Sequence, residues 1–273
     1  MGSPDEKSLI SIIMGIYNCA RTLPEAVDSI LSQTYTNWEL IMCDDGSSDN
    51  TYEVASEFKA KYPDKILLLK NEKNMGLNAT LNRCLEAARG TYIARMDGDD
   101  ISITSRLEKE IGFLNEHLEY AIVSCPMIYF DENGDFMSGK GNGEPDISSF
   151  CKGTPFCHAP CMVRREAYEA VNGYTEAANR LRVEDWDLWI RMYAKGYKGY
   201  NLDELLYKMR DDRNAYSRRK FIYRINEMKV SASAVKKLGL NLVYYIFSIR
   251  PIVVGLLPKG IYRYLHEKIR MKL

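Results

Sequence analysis

Apolar residues along this chain follow two rhythms. Nearly continuous runs at residues 9–17 ("LISIIMGIY"), 38–43 ("WELIMC"), 65–70 ("KILLLK") and 91–96 ("TYIARM") read as strands, the first of them buried on both faces. Between them the spacing changes to that of helices: Val27, Ile30 and Leu31, then Val54, Ala55 and Phe58, then Leu77, Leu81, Leu85 and Ala88. Thr22-Leu-Pro-Glu25 predicts a capping box before the first helix, and Arg89-Gly90 predicts the stop of the third. Strand and helix thus alternate three times before a fourth strand, the pattern of an open, mostly parallel α/β sheet flanked by helices.

Beyond Arg106 the pattern changes. Leu107, Ile111 and Leu114 predict a helix, "AIVSCPMIYF" (121–130) a strand, and "DENGD" (131–135) a hairpin turn. A glycine-rich stretch, "SGKGNGEPD" (138–146), predicts a mobile loop near the site, and "RVEDWDLWIRMYAKG" predicts a helix ended by Gly196. With no internal repeat or linker, residues 1–210 read as one body, its halves about 8–100 and 101–210, followed by a helical extension over 211–273.

Lys plus Arg equals Asp plus Glu, 37 each, but the two signs are segregated. From Arg218 onward there are thirteen Lys/Arg and only two acids, Glu227 and Glu267, so the extension carries a surplus of eleven positive charges and the body the same deficit. That asymmetry predicts an acidic site in the body and an anionic partner for the extension. The seven cysteines do not form the even set of a disulfide framework, and the opening "MGSPDEKSLI" lacks a basic region followed by an apolar one. The expected compartment is therefore the reducing cytoplasm. Cys157, His158 and Cys161 lack the second ligand pair of a zinc knuckle, and read as packing residues or, for His158, as a neighbour of the site.

Ligands of open α/β sheets bind beyond the carboxyl ends of the strands. Three predicted strand ends here carry polar clusters: Tyr17-Asn18, Asp44-Asp45-Gly46-Ser47, and Asp97-Gly98-Asp99-Asp100. No GxGxxG opens the first helix and no Walker lysine follows, which excludes a standard dinucleotide or P-loop site. The acids spaced Asp-x-Asp suit a hard divalent cation such as Mn²⁺ or Mg²⁺ that shares its sphere with substrate phosphates; the alternative is a solvated acidic turn. Asp44 and Asp45 suit either a base edge or ribose hydroxyl, or an Asx-turn, a role that fits Asp49 better. Asn74, Gly76, Asn78 and Asn82 follow the third strand, where amides approach a nucleotide or, for Asn78, cap a helix. Glu184 and Asp185 open a helix, where the dipole favours acids; the flanking Trp186 and Trp189 suggest instead a sugar platform beside a general base.

Taken in order, "SIIMGIYNCARTLPEAVDSILSQTYTNWELIMCDDGSSDNT", "NMGLNATLNRCLEAARGTYIARMDGDD", "SRL" and "GYTEAANRLRVEDWDLWIRM" resemble the family 2 glycosyltransferases of the GT-A fold, across residues 9 to about 210. The resemblance implies an inverting transferase that moves a sugar from a nucleotide-sugar, usually UDP-linked, to a glycan or lipid-linked acceptor. It implies that Tyr17, Asp45 and Asp44 hold the base, with Asn18, Asn74, Asn78 and Gly98 lining the donor site. Asp97 would face the ribose, Asp99 (with Asp97) would ligate Mn²⁺ or Mg²⁺, and Arg106 would meet phosphate charge or close the loop around the acids. Asp185 would be the base and Glu184 its support, with Trp186, Trp189 and His158 on the acceptor side. Two departures stand out. Gly15 occupies a position where many relatives have proline, and "LLYKMRDDRNAYS" (205–217) lacks the histidine that many relatives offer there, leaving Arg210 or Arg213 as contacts for the diphosphate.

In the extension, "NLVYYIFSIRPIVVGLLP" (241–258) is apolar but interrupted by Arg250-Pro251 and too short to span a bilayer. Together with the basic residues it predicts an interfacial anchor on an anionic cytoplasmic leaflet, the alternative being a helix packed on the body. A homodimer through the extension fits as well; nucleic acid does not, for want of a recognition motif. Two rival classes remain at this stage. A non-catalytic nucleotide-sugar or glycan-binding subunit is opposed by the intact acids. A sugar-phosphate nucleotidyltransferase is opposed by the absence of a glycine-rich, arginine-bearing first loop.

Overall fold

In the computed structural model, which describes residues 8–211 and 220–257, the first apolar run forms β1 (Ile10–Ile16), buried at every position but Gly15. It pairs in parallel with β2 (Trp38–Asp44) on one side and β4 (Tyr92–Arg95) on the other, and β2 pairs in parallel with β3 (Ile66–Lys70). The connecting helices are α1 (Leu23–Leu31), α2 (Thr51–Lys61) and α3 (Leu77–Ala87). Because all the strands of these three strand–helix units run in one direction, their carboxyl ends open at the same edge of the sheet. The mixed α/β architecture follows the sequence pattern.

The sheet continues past β4 through β9 (Met162–Arg164), β6 (Tyr120–Ser124) and β10 (Lys198–Asn201), in the order β10-β6-β9-β4-β1-β2-β3. Strand β9 runs antiparallel to both neighbours. A second sheet, β5-β11-β7-β8, consists of β5 (Ile101–Ser102), β7 (Met127–Asp131), β8 (Gly134–Ser138) and β11 (Tyr207–Arg210). The run predicted as one strand over 121–130 is therefore two, one in each sheet. Pro126 has no N–H to continue a ladder, and the chain changes sheets there. The predicted hairpin forms between β7 and β8, with Asp131 Oδ1 accepting the Asn133 N–H at 2.8 Å. The glycine-rich loop is pinned where Gly143 bridges Asn201 of β10.

Two local expectations are corrected. Thr22 does not close a capping box: its backbone is already helical, and its hydroxyl bonds the Cys19 and Gly98 carbonyls. Gly90 does not stop α3, which ends at Ala87. A Cβ at Gly90 would stand 2.6 Å from Leu9 O and Ser11 N, so close approach to β1 is what demands glycine there.

The chain divides into two units. Both sheets lie in the first, formed by Met1–Glu144, Phe156–Tyr174 and Tyr197–Arg210, together with α4 (Arg106–Glu116) and α5 (Arg165–Glu169). The second gathers Pro145–Pro155, Thr175–Gly196 and the segment from Asp211 onward. It holds α6 (Glu184–Ala194), α7 (Phe221–Lys237) and α8 (Tyr245–Leu256). In that unit Asp187 accepts from Thr175, Arg180 and Arg191, each at 2.8 Å, and Ser231 joins Cys151 O to Ser248. Helix α8 runs through Pro251 rather than breaking there; no described helix is long and apolar enough to cross a membrane.

Candidate active site

Where β1 ends, Tyr17 is 49% exposed and Asn18 takes a left-handed backbone conformation, φ 49°. That turn lets Asn18 lace two strand ends together. Its N–H donates to Ser47 Oγ at 3.0 Å, and its Oδ1 accepts from the Ser48 N–H at 2.8 Å. Asp49 forms the expected Asx-turn, accepting the Thr51 N–H at 3.0 Å.

Asp44 and Asp45 do different work. Asp44 is fully buried; Oδ2 accepts the Ser47 N–H at 3.3 Å, while Oδ1 has no hydrogen-bond partner. Asp45 accepts from Asn71 Nδ2 (2.7 Å), Met75 N (2.7 Å) and Gly76 N (2.9 Å), so its carboxylate shapes the loop after β3. Gly46, at φ 70°, lies so close to Lys73 and Asn74 that a Cβ would fall 2.8 Å from their backbone. The loops after β2 and β3 are in effect one structure, with Asn74 exposed on it and Asn78 buried in the first turn of α3.

The acidic turn after β4 separates its three carboxylates. Asp97 is half-buried and bonded to Arg95 Nη2 at 2.6 Å. Asp100 is buried; Oδ2 accepts from the Tyr207 hydroxyl at 2.9 Å and Oδ1 from the Arg210 N–H at 2.8 Å. Burial first, then the charges of Asp97 and Asp99, hold the Asp100 carboxyl well above the usual carboxylate range. Asp99 alone of the three is exposed. Partial desolvation, then the charge of Asp97, raise its carboxyl. Gly98 is required between them, since a Cβ would meet Cys19 Sγ at 2.9 Å.

Arg210 stands beside this turn. Its Nε donates to Asp99 O at 3.0 Å, its Nη2 pairs with Glu25 at 2.5 Å, and its guanidinium stacks on Phe130 at 4.4 Å. Arg213 lies outside the described residues. The sequence reading missed Arg95, Asn71 and Tyr207, whose roles depend on partners far along the chain.

Three expected site residues are corrected. Arg106 is fully buried, paired with Glu110 at 3.1 Å and donating to Arg95 O at 2.9 Å, so it braces the core instead of meeting phosphate. Trp189 is fully buried, and Trp186 is buried with its Nε1 donating to Phe150 O at 2.7 Å; neither offers a ring face to a sugar. Both lie on the inward stripe of α6 with Ile190, a helical spacing that was visible in the sequence. His158 is half-buried with Nε2 2.8 Å from the Tyr174 hydroxyl, and burial, then the Arg95 charge, keep its imidazole neutral. Glu184 and Asp185 are half-buried in the first turn of α6, in the second unit.

The family model for glycosyl transferase family 2 matches residues 11–171. The chain belongs to that family. As a family 2 glycosyltransferase it is 45% identical to EpsE of Bacillus subtilis (strain 168), itself a provisionally assigned glycosyltransferase, over 95% of this chain and 93% of that one. It is 28% identical to WfaP of Escherichia coli, a UDP-Glc:alpha-D-GlcNAc-diphosphoundecaprenol beta-1,3-glucosyltransferase, over 85% of this chain and 88% of that one. Among solved structures, the mannosyltransferase PcManGT of Pyrobaculum calidifontis, in complex with GDP-Man and Mn²⁺, superposes with a TM-score of 0.67 at 16% identity, covering 98% of this chain and 81% of that one. That likeness establishes the GT-A fold.

Proposed function

We propose that this glycosyltransferase moves a sugar from a UDP-sugar to a hydroxyl of a glycan or lipid-linked acceptor in surface polysaccharide synthesis, inverting the anomeric carbon. The carrying observation is the acidic turn at the carboxyl ends of the central strands, its Gly98 packed against Cys19 of the loop after β1 and its Asp99 exposed. Names of relatives point the same way: WfaP uses UDP-Glc and a diphosphoundecaprenol-linked acceptor.

In this reading Tyr17 and the loop shaped by Asp44 and Asp45 receive the base, with Asn18, Asn74 and Asn78 around it, and Asp97 faces the ribose. Among the described residues no cluster of three His, Cys, Asp or Glu side chains is placed to hold a metal. The outward carboxylate of Asp99, with Asp97 behind it, nevertheless fits a cation that takes most of its ligands from phosphate and water. A Mn²⁺ or Mg²⁺ ion held there would neutralise the leaving diphosphate. Arg210, beside the turn, adds positive charge from the protein itself. Asp185 takes the proton of the acceptor hydroxyl as that oxygen attacks the anomeric carbon opposite the departing nucleotide, and Glu184 supports the acceptor.

The extension fits peripheral contact with an anionic cytoplasmic leaflet. Ile246, Ile249, Val253 and Leu256 recur on one side of α8 and all are exposed, Ile246 by 64% and Leu256 by 71%. Arg250 on α8 and Lys229, Lys236 and Lys237 on α7 are exposed as well. Apolar stripe and basic residues together suit a lipid surface.

The deciding experiment titrates UDP, GDP and their sugar conjugates by calorimetry, in Mn²⁺ and in chelator, with wild type and Asp99→Ala. Metal-dependent UDP binding that Asp99→Ala abolishes is the expected result. Equal binding of UDP in Mn²⁺ and chelator removes the role given to Asp99; no nucleotide binding in either condition sinks the donor site.

A further inference from the structure

The acidic turn rests on a tyrosine that follows it by 110 residues. Tyr207 is fully buried, and its register in the second sheet is fixed from both sides, opposite Ser102 of β5 and Met127 of β7. From there its hydroxyl accepts the Asp97 N–H at 3.2 Å and donates to Asp100 Oδ2 at 2.9 Å. One oxygen thus clasps both ends of the four-residue turn.

The ring beneath that hydroxyl is held in turn. The Arg106 guanidinium lies 5.0 Å from the ring centroid, is balanced by Glu110, and donates to the Arg95 carbonyl. Arg95 grips the Asp97 carboxylate. Three residues beyond Tyr207, Arg210 secures the Asp100 carboxylate through its N–H and the Asp99 carbonyl through its side chain. Thr22 occupies the Gly98 carbonyl. Asp100 is thereby committed to the protein and Asp97 is held to Arg95 through one oxygen, leaving Asp99 the most exposed carboxylate of the three.

We propose that Tyr207 is the positioning residue of the acidic turn, its hydroxyl fixing the Asp97 backbone and the Asp100 side chain so that Asp99 projects toward the donor diphosphate and its cation. The proposal rests on the reading of Asp99 given above. Without the hydroxyl, Asp100 loses the donor that holds one of its oxygens inward, and the turn gains the freedom to misplace Asp99. Groups that orient ligating carboxylates typically change metal affinity by about 10–100-fold when removed.

The test uses Tyr207→Phe in the full chain, which keeps the ring and its guanidinium contact and deletes one oxygen. Calorimetry of UDP binding across a Mn²⁺ series gives the half-saturating metal concentration, and thermal unfolding gives stability. The expected result is a rise of about tenfold or more in the half-saturating Mn²⁺ concentration. Leu114→Ala, a core change about two turns along the helix from Arg106, controls for destabilisation and leaves that concentration within about twofold. Asp100→Asn, which turns the group facing the hydroxyl from acceptor to donor, shifts the metal series in the same direction and stands in if the phenylalanine variant does not fold. A Tyr207→Phe protein with the wild-type metal series overturns this inference alone. UDP binding by the wild type that ignores metal overturns the reading of Asp99 and this inference with it.

Discussion

Replacing Asp45 with alanine strips three donors of their acceptor at once: Asn71 Nδ2, Met75 N and Gly76 N. The three losses differ. Met75 is exposed and Gly76 half-buried, so water reaches both N–H groups once the loop opens, and each loss costs about 1 kcal/mol. Asn71 is 2% exposed and gains no such relief; a buried donor left unmade costs about 1–3 kcal/mol. The sum is about 3–5 kcal/mol, at the severe end for a single substitution. For the sheet-bearing unit this lowers the unfolding temperature by roughly 10 °C.

Asp45→Asn keeps the shape and one carbonyl but turns an amide toward the remaining donors, so about half that loss is expected. Thermal unfolding measures the stability, and hydrogen exchange at the Met75 and Gly76 amides reports the loop. UDP affinity falls in parallel, because the loop that receives the base is no longer shaped. Wild-type unfolding temperature and wild-type exchange at both amides in Asp45→Ala would refute the reasoning. Such a carboxylate would be free to meet a ligand directly, as the sequence alone suggested.

Other expectations follow from the same geometry. Burial raises Glu110 to about 7 against the opposing charge of Arg106, while an unfolded glutamate ionises near 4.5; the folded chain keeps a proton that the unfolded chain has lost, so stability falls as pH rises through that window and levels off above it. Urea midpoints from pH 4 to 8 should show this fall in wild type and a flatter profile in Glu110→Gln, and identical profiles would count against it. Trp186→Phe forfeits the bond to Phe150 O, costs about 1–2 kcal/mol of stability and leaves the acceptor KM unchanged; a large KM rise at unchanged stability would restore the ring to the acceptor cleft. Ile246→Ser with Ile249→Ser alters exposed positions, so the unfolding temperature holds while co-sedimentation with phosphatidylglycerol vesicles drops; undiminished vesicle binding would exclude the stripe as the contact.

The strands of the first hundred residues were legible because burial on both faces leaves a nearly unbroken apolar run, and little else in a sequence does. Short elements carry no such signal. Strand β9 has three residues and β5 two, yet β9 joins the two halves of the large sheet and β5 flanks β11. Their existence depends on partners supplied elsewhere in the chain, so no local rhythm marks them. The Trp186 and Arg106 readings failed for a different reason. Acids beside aromatics at a helix start suggested a sugar platform, and an arginine after the acids suggested phosphate. Yet Arg106, Leu107, Glu110, Ile111 and Leu114 follow one helical stripe, all buried. A charge and its counter-charge four residues apart on an apolar face are better read as a buried pair.

The acidic turn shows where sequence reasoning stops being able to choose. Asp97, Asp99 and Asp100 are chemically identical, and spacing offers no ground for giving them different work. The structure separates them by what each meets: a buried arginine two residues earlier, solvent at the turn's surface, and a tyrosine and arginine from a strand more than a hundred residues later. Arg95 and Tyr207 are both buried, so the turn is anchored to interior groups that cannot easily move. Repulsion among the three acids is thereby converted into direction: Asp100 is tied inward, Asp97 is held by one oxygen to Arg95, and Asp99 faces out of the strand ends. A ligand brought there meets oriented acids instead of a diffuse negative patch, and that orientation comes from Arg95 of the large sheet and from Tyr207 and Arg210 of the second.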